Sequence, residues 1–246
     1  MRLAVIADVH GNRLALAAVL AAVKRAAPDL LVELGDAVSG PLWPRDSFEL
    51  LADAGAHASL RGNHDRWVAL DPPERLGATD AFARSDLTPA QREALGARPM
   101  SWRGDGILAM HSLPEDDLTY VMHQSTEHGI RERRPAEMAA LLPAPAGETL
   151  VLTAHTHRSG MARLPDGRLV VNPGSVGQPA YKDTTPFLHR MEAGTPHARW
   201  ALLQRQDKGW RVEFHAEEYD WGAASAEALR NGRADWSQSL ATGTMD

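Results

Sequence analysis

Leu3-Ala4-Val5-Ile6-Ala7-Asp8-Val9-His10-Gly11-Asn12 is an aliphatic run that stops at a carboxylate, then presents an imidazole, a glycine and a carboxamide. The run has the length of a buried strand. Past a strand's end the chain is already turning, so Asp8 and His10 need not diverge and can converge on one cation. Their oxygen and nitrogen donors suit Mn, Fe, Ni, Co or Zn. Taken alone, the motif is equally a solvated Asp beside a loop His. Its recurrence along the chain decides between the two.

Working outward, Asn12 is placed to cap a helix over residues 13–27, with Leu16, Leu20, Val23 and Ala27 as its core stripe. Pro28-Asp29 ends it, and residues 30–34 form a strand running into Gly35-Asp36. Strand, helix and strand with short connections imply a parallel crossover. Asp8 and Asp36 then share one carboxyl edge, where open α/β sheets hold ligands. A short helix over 45–54 leads to a third strand, 58–60, ending in Arg61-Gly62-Asn63-His64-Asp65. Residues 106–110 run into His111, and 150–154 into His155-Thr156-His157. Hairpins follow, over 161–171 and 198–219. Residues 66–104 and 112–147 read as helical insertions over the sheet edge, within one domain spanning 1–222. The tail, 223–246, reads as a short helix or disordered.

The 246 residues suffice for a substantial core. A net charge of −6 gives no basic surface for duplex nucleic acid, though it leaves room for a local basic pocket. The absence of cysteine excludes disulfides, thiolate nucleophiles and Cys-ligated zinc. The longest apolar stretch, 14–23, is well short of the ~20 residues a membrane span needs. A soluble cytoplasmic protein acting on a small molecule is expected, with the oligomeric state open.

Five apolar runs end in potential ligands: Asp8 with His10, Asp36, Asn63 with His64, His111, and His155 with His157. A two-cation site without cysteine needs bridging and terminal carboxylates and neutral imidazoles, and this set supplies them. The order Asp-x-His, Gly-Asp, Gly-Asn-His-Asp, His, His-x-His resembles the calcineurin-like metallophosphoesterases. Asn172-Pro173-Gly174-Ser175-Val176-Gly177-Gln178-Pro179 resembles the small bacterial and archaeal phosphodiesterase branch. The resemblance implies one metal on Asp8, His10, Asp36 and His157, and a second on Asp36, Asn63, His111 and His155, with Asp36 bridging. Mn is the first expectation for the pair. One departure is Ala154, where the family usually has glycine; alanine fits if φ there is not positive. The implied fold is a four-layer α/β/β/α sandwich of two mixed sheets, with parallel strands from the first half of the chain and antiparallel ones from the hairpins of the second.

Two cations about 4 Å apart can share a water and hold it as hydroxide at neutral pH. In-line attack on phosphorus would follow, on a phosphodiester or nucleotide substrate. By resemblance His64 would protonate the leaving group, with Asp65 fixing its tautomer. Asn12 and Arg61 are candidate phosphate contacts. His57, His123, His128, His189, His197 and His215 lie outside the motif and are read as surface or packing residues, although the insertion bearing His123 and His128 can overhang the site. Tyr120 and the basic run 131–134 could contact a base or a distal phosphate, yet a charge run is more often a solvated helix face. Alternatives are a dinucleoside-polyphosphate hydrolase, a phosphomonoester or phosphoprotein phosphatase, and, in another class, a catalytically weak protein-binding scaffold.

Overall fold

In the computed structural model, which describes residues 1–245, β1 (Arg2–Ile6) and β2 (Leu30–Glu33) pair in parallel across α1 (Arg13–Ala26). The Asn12 side chain caps α1 by accepting from Ala15 N–H at 3.2 Å. α2 (Pro44–Asp53) leads to β3 (Ala58–Ser59), which joins β2 in parallel. The first insertion folds as α3 (Asn63–Leu70), α4 (Ala78–Asp86) and α5 (Pro89–Gly96). It ends in a strand, β4 (Ser101–Gly104), antiparallel to β5 (Ile107–Met110).

The second insertion differs more from expectation. It opens with a hairpin, β6 (His123–Thr126) and β7 (Gly129–Glu132), and has one short helix, α6 (Pro135–Leu141). Then come β8 (Leu150–Leu152), β9 (Gly160–Arg163), β10 (Leu169–Asn172) and a further hairpin of β11 (Ala180–Asp183) and β12 (His189–Glu192). The long hairpin of β13 (Ala198–Gln206) and β14 (Gly209–Glu217) precedes α7 (Trp221–Arg230) and α8 (Ala234–Thr242). The tail is therefore two helices, which bury Ala224, Ala228, Trp236 and Leu240 against Leu42. Small side chains and one Trp gave too faint an apolar stripe to read. β4, β6 and β7 escaped for a related reason: Ser-Trp-Arg-Gly, His-Gln-Ser-Thr and Gly-Ile-Arg-Glu contain no apolar run.

Two five-stranded mixed sheets, β14-β13-β1-β2-β3 and β4-β5-β8-β10-β9, pack face to face. Period-2 alternation sorts the layers. Leu3, Val5 and Ala7 meet Ile107, Ala109, Leu150, Leu152 and Val171 between the sheets. Ala4 and Ile6 face Leu16, Val19 and Val23 of α1 on one outer side. Leu108, Met110, Val151 and Val170 face Met138 of α6 on the other. The result is the expected four-layer sandwich, except that parallel pairing also runs through the second sheet, at β5-β8-β10. Among the described residues, no helix is long and apolar enough to cross a membrane.

Asp65 draws the turns after β2 and β3 together. Its buried carboxylate accepts from Asp36 N–H (2.8 Å), Ala37 N–H (2.9 Å) and Gly62 N–H (3.1 Å). The expected role of fixing the His64 tautomer is thereby corrected: Asp65 is occupied by backbone. Gly62 is required at this junction, because a Cβ there would run into the Asp36 carboxylate. Asp65→Ala removes an ionised acceptor and leaves buried N–H groups unpaired, so it should cost about 3–5 kcal/mol of stability. Urea denaturation measures this; a loss below about 1 kcal/mol would show that the clamp is dispensable.

Candidate active site

The strand-end residues converge at one rim. Asp8, His10 and His157 offer donor atoms within 4.8 Å of one another, as do Asp36, His111 and His155. His111 Nε2 lies 3.1 Å from Asn63 Oδ1 and 3.4 Å from Asp36 Oδ2, and His10 Nε2 lies 3.8 Å from the same Asp36 oxygen. Asp36 stands between the two groups, where a bridging residue belongs.

The backbone bends unusually to achieve this. Among the described residues, seven that are not glycine have positive φ, and five of them are Asp8 (54°), His10 (49°), Asp36 (58°), His155 (69°) and His157 (56°). Asp and His tolerate the left-handed region better than most residues, yet such positions cost about 1–3 kcal/mol each and gather at functional sites. Ala154 is not among the positive-φ residues, so alanine fits where the family has glycine.

Hydrogen bonds on the far side of each ring set its tautomer. His10 Nδ1 donates to Ser39 O (2.7 Å), His157 Nδ1 to Gln178 O (2.7 Å) and His111 Nδ1 to Leu34 O (3.0 Å). A carbonyl can only accept, so in the neutral rings Nε2 carries a lone pair. The lone pairs of His10 and His157 then face each other across 3.1 Å. His155 reverses the pattern: its Nε2 donates to Leu118 O at 3.1 Å, leaving Nδ1 free. Asp8 Oδ1, Asp8 Oδ2 and Asp36 Oδ2 are buried with no hydrogen-bond partner among the described residues. Acceptors facing acceptors out of water are favourable only around a positive charge, and the mixed O/N donors suit a divalent transition metal. The residues fit a cation pair.

Titration behaviour agrees with that demand. Burial lowers the pKa of His10 to about 4 and of His155 to about 3, holding both neutral. Burial raises Asp8. At His111 burial is outweighed by the Asp36 and Asp8 carboxylates, which push it up to about 10.

His64 belongs to neither donor group. Its backbone N–H, at the start of α3, donates to Asp36 Oδ1 at 2.9 Å. Its Nδ1 donates to Asp80 Oδ1 at 2.7 Å, and Ser39 Oγ donates to the same oxygen at 2.7 Å. Burial opposes the charged ring, but Asp36 and Asp80 prevail and push its pKa up to about 9. Asp80, on α4, therefore does what was expected of Asp65.

The rim opens into a cleft of about 1080 Å³. Both insertions overhang it, through Trp67 and Thr79 of the first and Tyr120, His123 and Arg133 of the second, and α8 closes it with Trp236. The Tyr120 ring lies 4.8 Å from that of His155, and the Trp236 ring 5.9 Å from that of His10. Two phosphate contacts expected from the sequence are not made available. Asn12 is fully buried, its Oδ1 capping α1 and its Nδ2 donating to Gly177 O (3.0 Å) and Tyr219 Oη (3.2 Å). Arg61 donates to Gly96 O at 2.8 Å and is not part of the cleft lining. Asp80 and Trp236 escape a reading of the sequence because neither lies in a motif; Tyr120, expected as a contact to a base or distal phosphate, does line the cleft.

Comparison with known proteins follows the same outline. A metallophosphoesterase from Sphaerobacter thermophilus is similar over 99% of this chain and 100% of its own, with 24% identity and a TM-score of 0.74. A candidate diadenosine tetraphosphatase is similar over 88% and 94% of the two chains, with 20% identity and a TM-score of 0.55. An uncharacterised protein of Methanocaldococcus jannaschii is 24% identical over 95% of this chain and 94% of its own. At these identities the solved structures establish the fold. The calcineurin-like phosphoesterase superfamily domain matches residues 1–194, which hold every strand-end ligand candidate together with His64 and Asp80. On that match the chain belongs to the calcineurin-like phosphoesterase superfamily and is a metal-dependent phosphoesterase.

Proposed function

We propose that this protein hydrolyses phosphodiester or nucleotide substrates, with His64 as the proton donor to the leaving oxygen. The observation that carries this reading is the His64–Asp80 contact at 2.7 Å, made beside two separate His/Asp donor groups in one cleft. Asp8, His10, Asp36 and His157 would hold one divalent cation, and Asp36, Asn63, His111 and His155 the other, with Mn the first candidate. When bound, such a pair supplies an activated water and neutralises charge on the phosphoryl oxygens.

The chain's own residues account for the rest. Asp80 accepts the Nδ1–H of protonated His64 in a hydrogen bond, which leaves Nε2–H as the proton to be given to the leaving oxygen. Asp36 Oδ1, bonded to His64 N–H, holds α3 in register with the donor groups. Trp67, Tyr120, Phe187 and Trp236 give the cleft apolar walls that suit a nucleoside or another aryl-bearing ester. The scaffold alternative is not favoured, because every donor and His64 are retained. The small bacterial and archaeal phosphodiesterase branch and a cytoplasmic setting remain part of this proposal.

Chelation should destabilise the protein. A ligand at a hundredfold excess over its Kd adds about 3 kcal/mol, and for a chain of this size each kcal/mol moves Tm by about 2–4 °C. A Tm lower by about 5–10 °C after chelation, restored by Mn, is expected from calorimetry; an unchanged Tm would remove the cation pair.

His64→Ala should keep its metal content and lose kcat by about a hundred- to ten-thousand-fold on an alkyl phosphodiester, with a far smaller loss on bis(p-nitrophenyl) phosphate, whose leaving group needs no proton. Asp36→Ala should lose metal and activity together. A donor must be protonated, so activity persists below the His64 pKa and falls as pH rises through it. Because Asp80 raises that pKa, Asp80→Asn should move the alkaline limb of the pH–rate profile to lower pH. A limb that stayed in place would detach Asp80 from the proton donor.

A further inference from the structure

The basic run 131–134, which reads as a solvated helix face, is divided by the fold. Arg131 and Arg134 reach Glu137 at 3.0 and 3.2 Å, on the outside of the molecule. Arg133 turns inward and lines the cleft. Its Nε donates to Tyr120 O at 3.2 Å and its Nη1 leans on Gln124 Oε1 at 3.4 Å. No carboxylate lies within 4.0 Å of it among the described residues. The residue that anchors it, Tyr120, packs its ring on His155 of the second donor group, so the guanidinium is held one residue away from that group.

His123, on the same wall, is 5% exposed, and its Nδ1 has no hydrogen-bond partner among the described residues. The acids of the cleft are otherwise engaged. Asp116 accepts from Leu118 N–H and Thr119 N–H (2.8 and 3.2 Å), and Asp183 from Thr184 N–H and Thr185 N–H (2.6 and 2.9 Å). Asp235 holds Arg233 at 2.7 Å. The wall around Arg133 thus combines a guanidinium in no ion pair with a buried imidazole whose Nδ1 lacks a partner among the described residues.

Building on the phosphoesterase reading, we infer that Arg133, with His123 beside it, forms a second anion subsite that takes a further phosphoryl group of the same substrate. The substrate is then a compound with two phosphoryl groups, one at the donor groups and one under Arg133. A planar guanidinium suits this role, since it presents parallel N–H donors to two oxygens of one phosphate.

Calorimetry on the Mn-loaded protein tests this with ethane-1,2-diol, propane-1,3-diol and butane-1,4-diol bisphosphates, each against its own monophosphate. At least one bisphosphate should bind about tenfold tighter than its monophosphate. Arg133→Ala should bring that ratio to about one while leaving monophosphate affinity unchanged, Arg133→Lys should restore part of it, and Arg131→Ala should keep it whole. The subsite is overturned if no bisphosphate is preferred by more than roughly twofold, or if Arg133→Ala weakens mono- and bisphosphates alike. Turnover of bis(p-nitrophenyl) phosphate by the parent reports separately on the phosphoesterase reading. Turnover without the ratio sinks only the subsite; the ratio without turnover sinks only the hydrolytic assignment.

Discussion

At the rim between the two sheets, carboxylate oxygens and the imidazole lone pairs of His10 and His157 face one another, with His111 held protonated among them by the surrounding carboxylates. Carbonyls behind His10, His111 and His157 take the ring protons, and Asp8 has no hydrogen-bond donor of its own. Such a cluster out of water is repulsive until positive charge enters it. Much of the surrounding architecture holds that cluster in place against its own repulsion. Five residues on three turns take left-handed backbone to aim their side chains inward. Asp65 ties one of those turns, at Asp36, to the turn after β3, and Glu33 secures Gly35 N–H at 2.7 Å while pairing with Arg98 at 3.1 Å. Gly177 lies against the Val9 carbonyl so tightly that a Cβ could not be placed there. The strain is affordable because both sheets beneath the rim are fully apolar between their faces.

The proposed proton donor obeys a different logic. His64 is held by Asp80 from α4, and Asp80 has a neighbour, Thr79, that accepts from Arg233 at the start of α8. Trp236 of α8 also closes on His10. The geometry of proton transfer is thereby tied to an insertion and to a C-terminal helix pair, the latter beyond the residues matched by the family domain. The candidate cation donors sit at the ends of the strands; the contacts of the proposed acid come from what is packed over them.

That division explains what could be read in advance. An aliphatic run that ends in Asp or His is a local signal, and the parallel βαβ geometry of β1 and β2 carries Asp8 and Asp36 to one edge without further information. Asp80 has no such signal. It is 16 residues from His64, on another helix, and its role exists only through tertiary packing. Asp65 was misassigned because adjacency in sequence to His64 suggested contact, whereas the first turn of α3 directs its carboxylate back to the preceding N–H groups, as acids at helix starts commonly do. Asn12 followed the opposite course: its capping role was legible, and that same role leaves it nothing for a phosphate.

The arginine run shows the limit most sharply. Residues 131, 133 and 134 carry the same side chain, and composition offers no reason to separate them. The β6–β7 hairpin does separate them, because Arg133 N–H donates to Met122 O at 2.8 Å and closes the hairpin's base against the cleft. Glu137, at the start of α6, then draws the other two outward. A net charge of −6 therefore coexists with a guanidinium that has no counter-ion in the active-site wall. Global charge governs what the whole surface attracts, whereas the local charge of a cleft is set by the few groups its walls turn inward, Arg133 among them. The hairpin that makes this distinction has no apolar run, which is why its placement against the cleft is the feature its residues announce least.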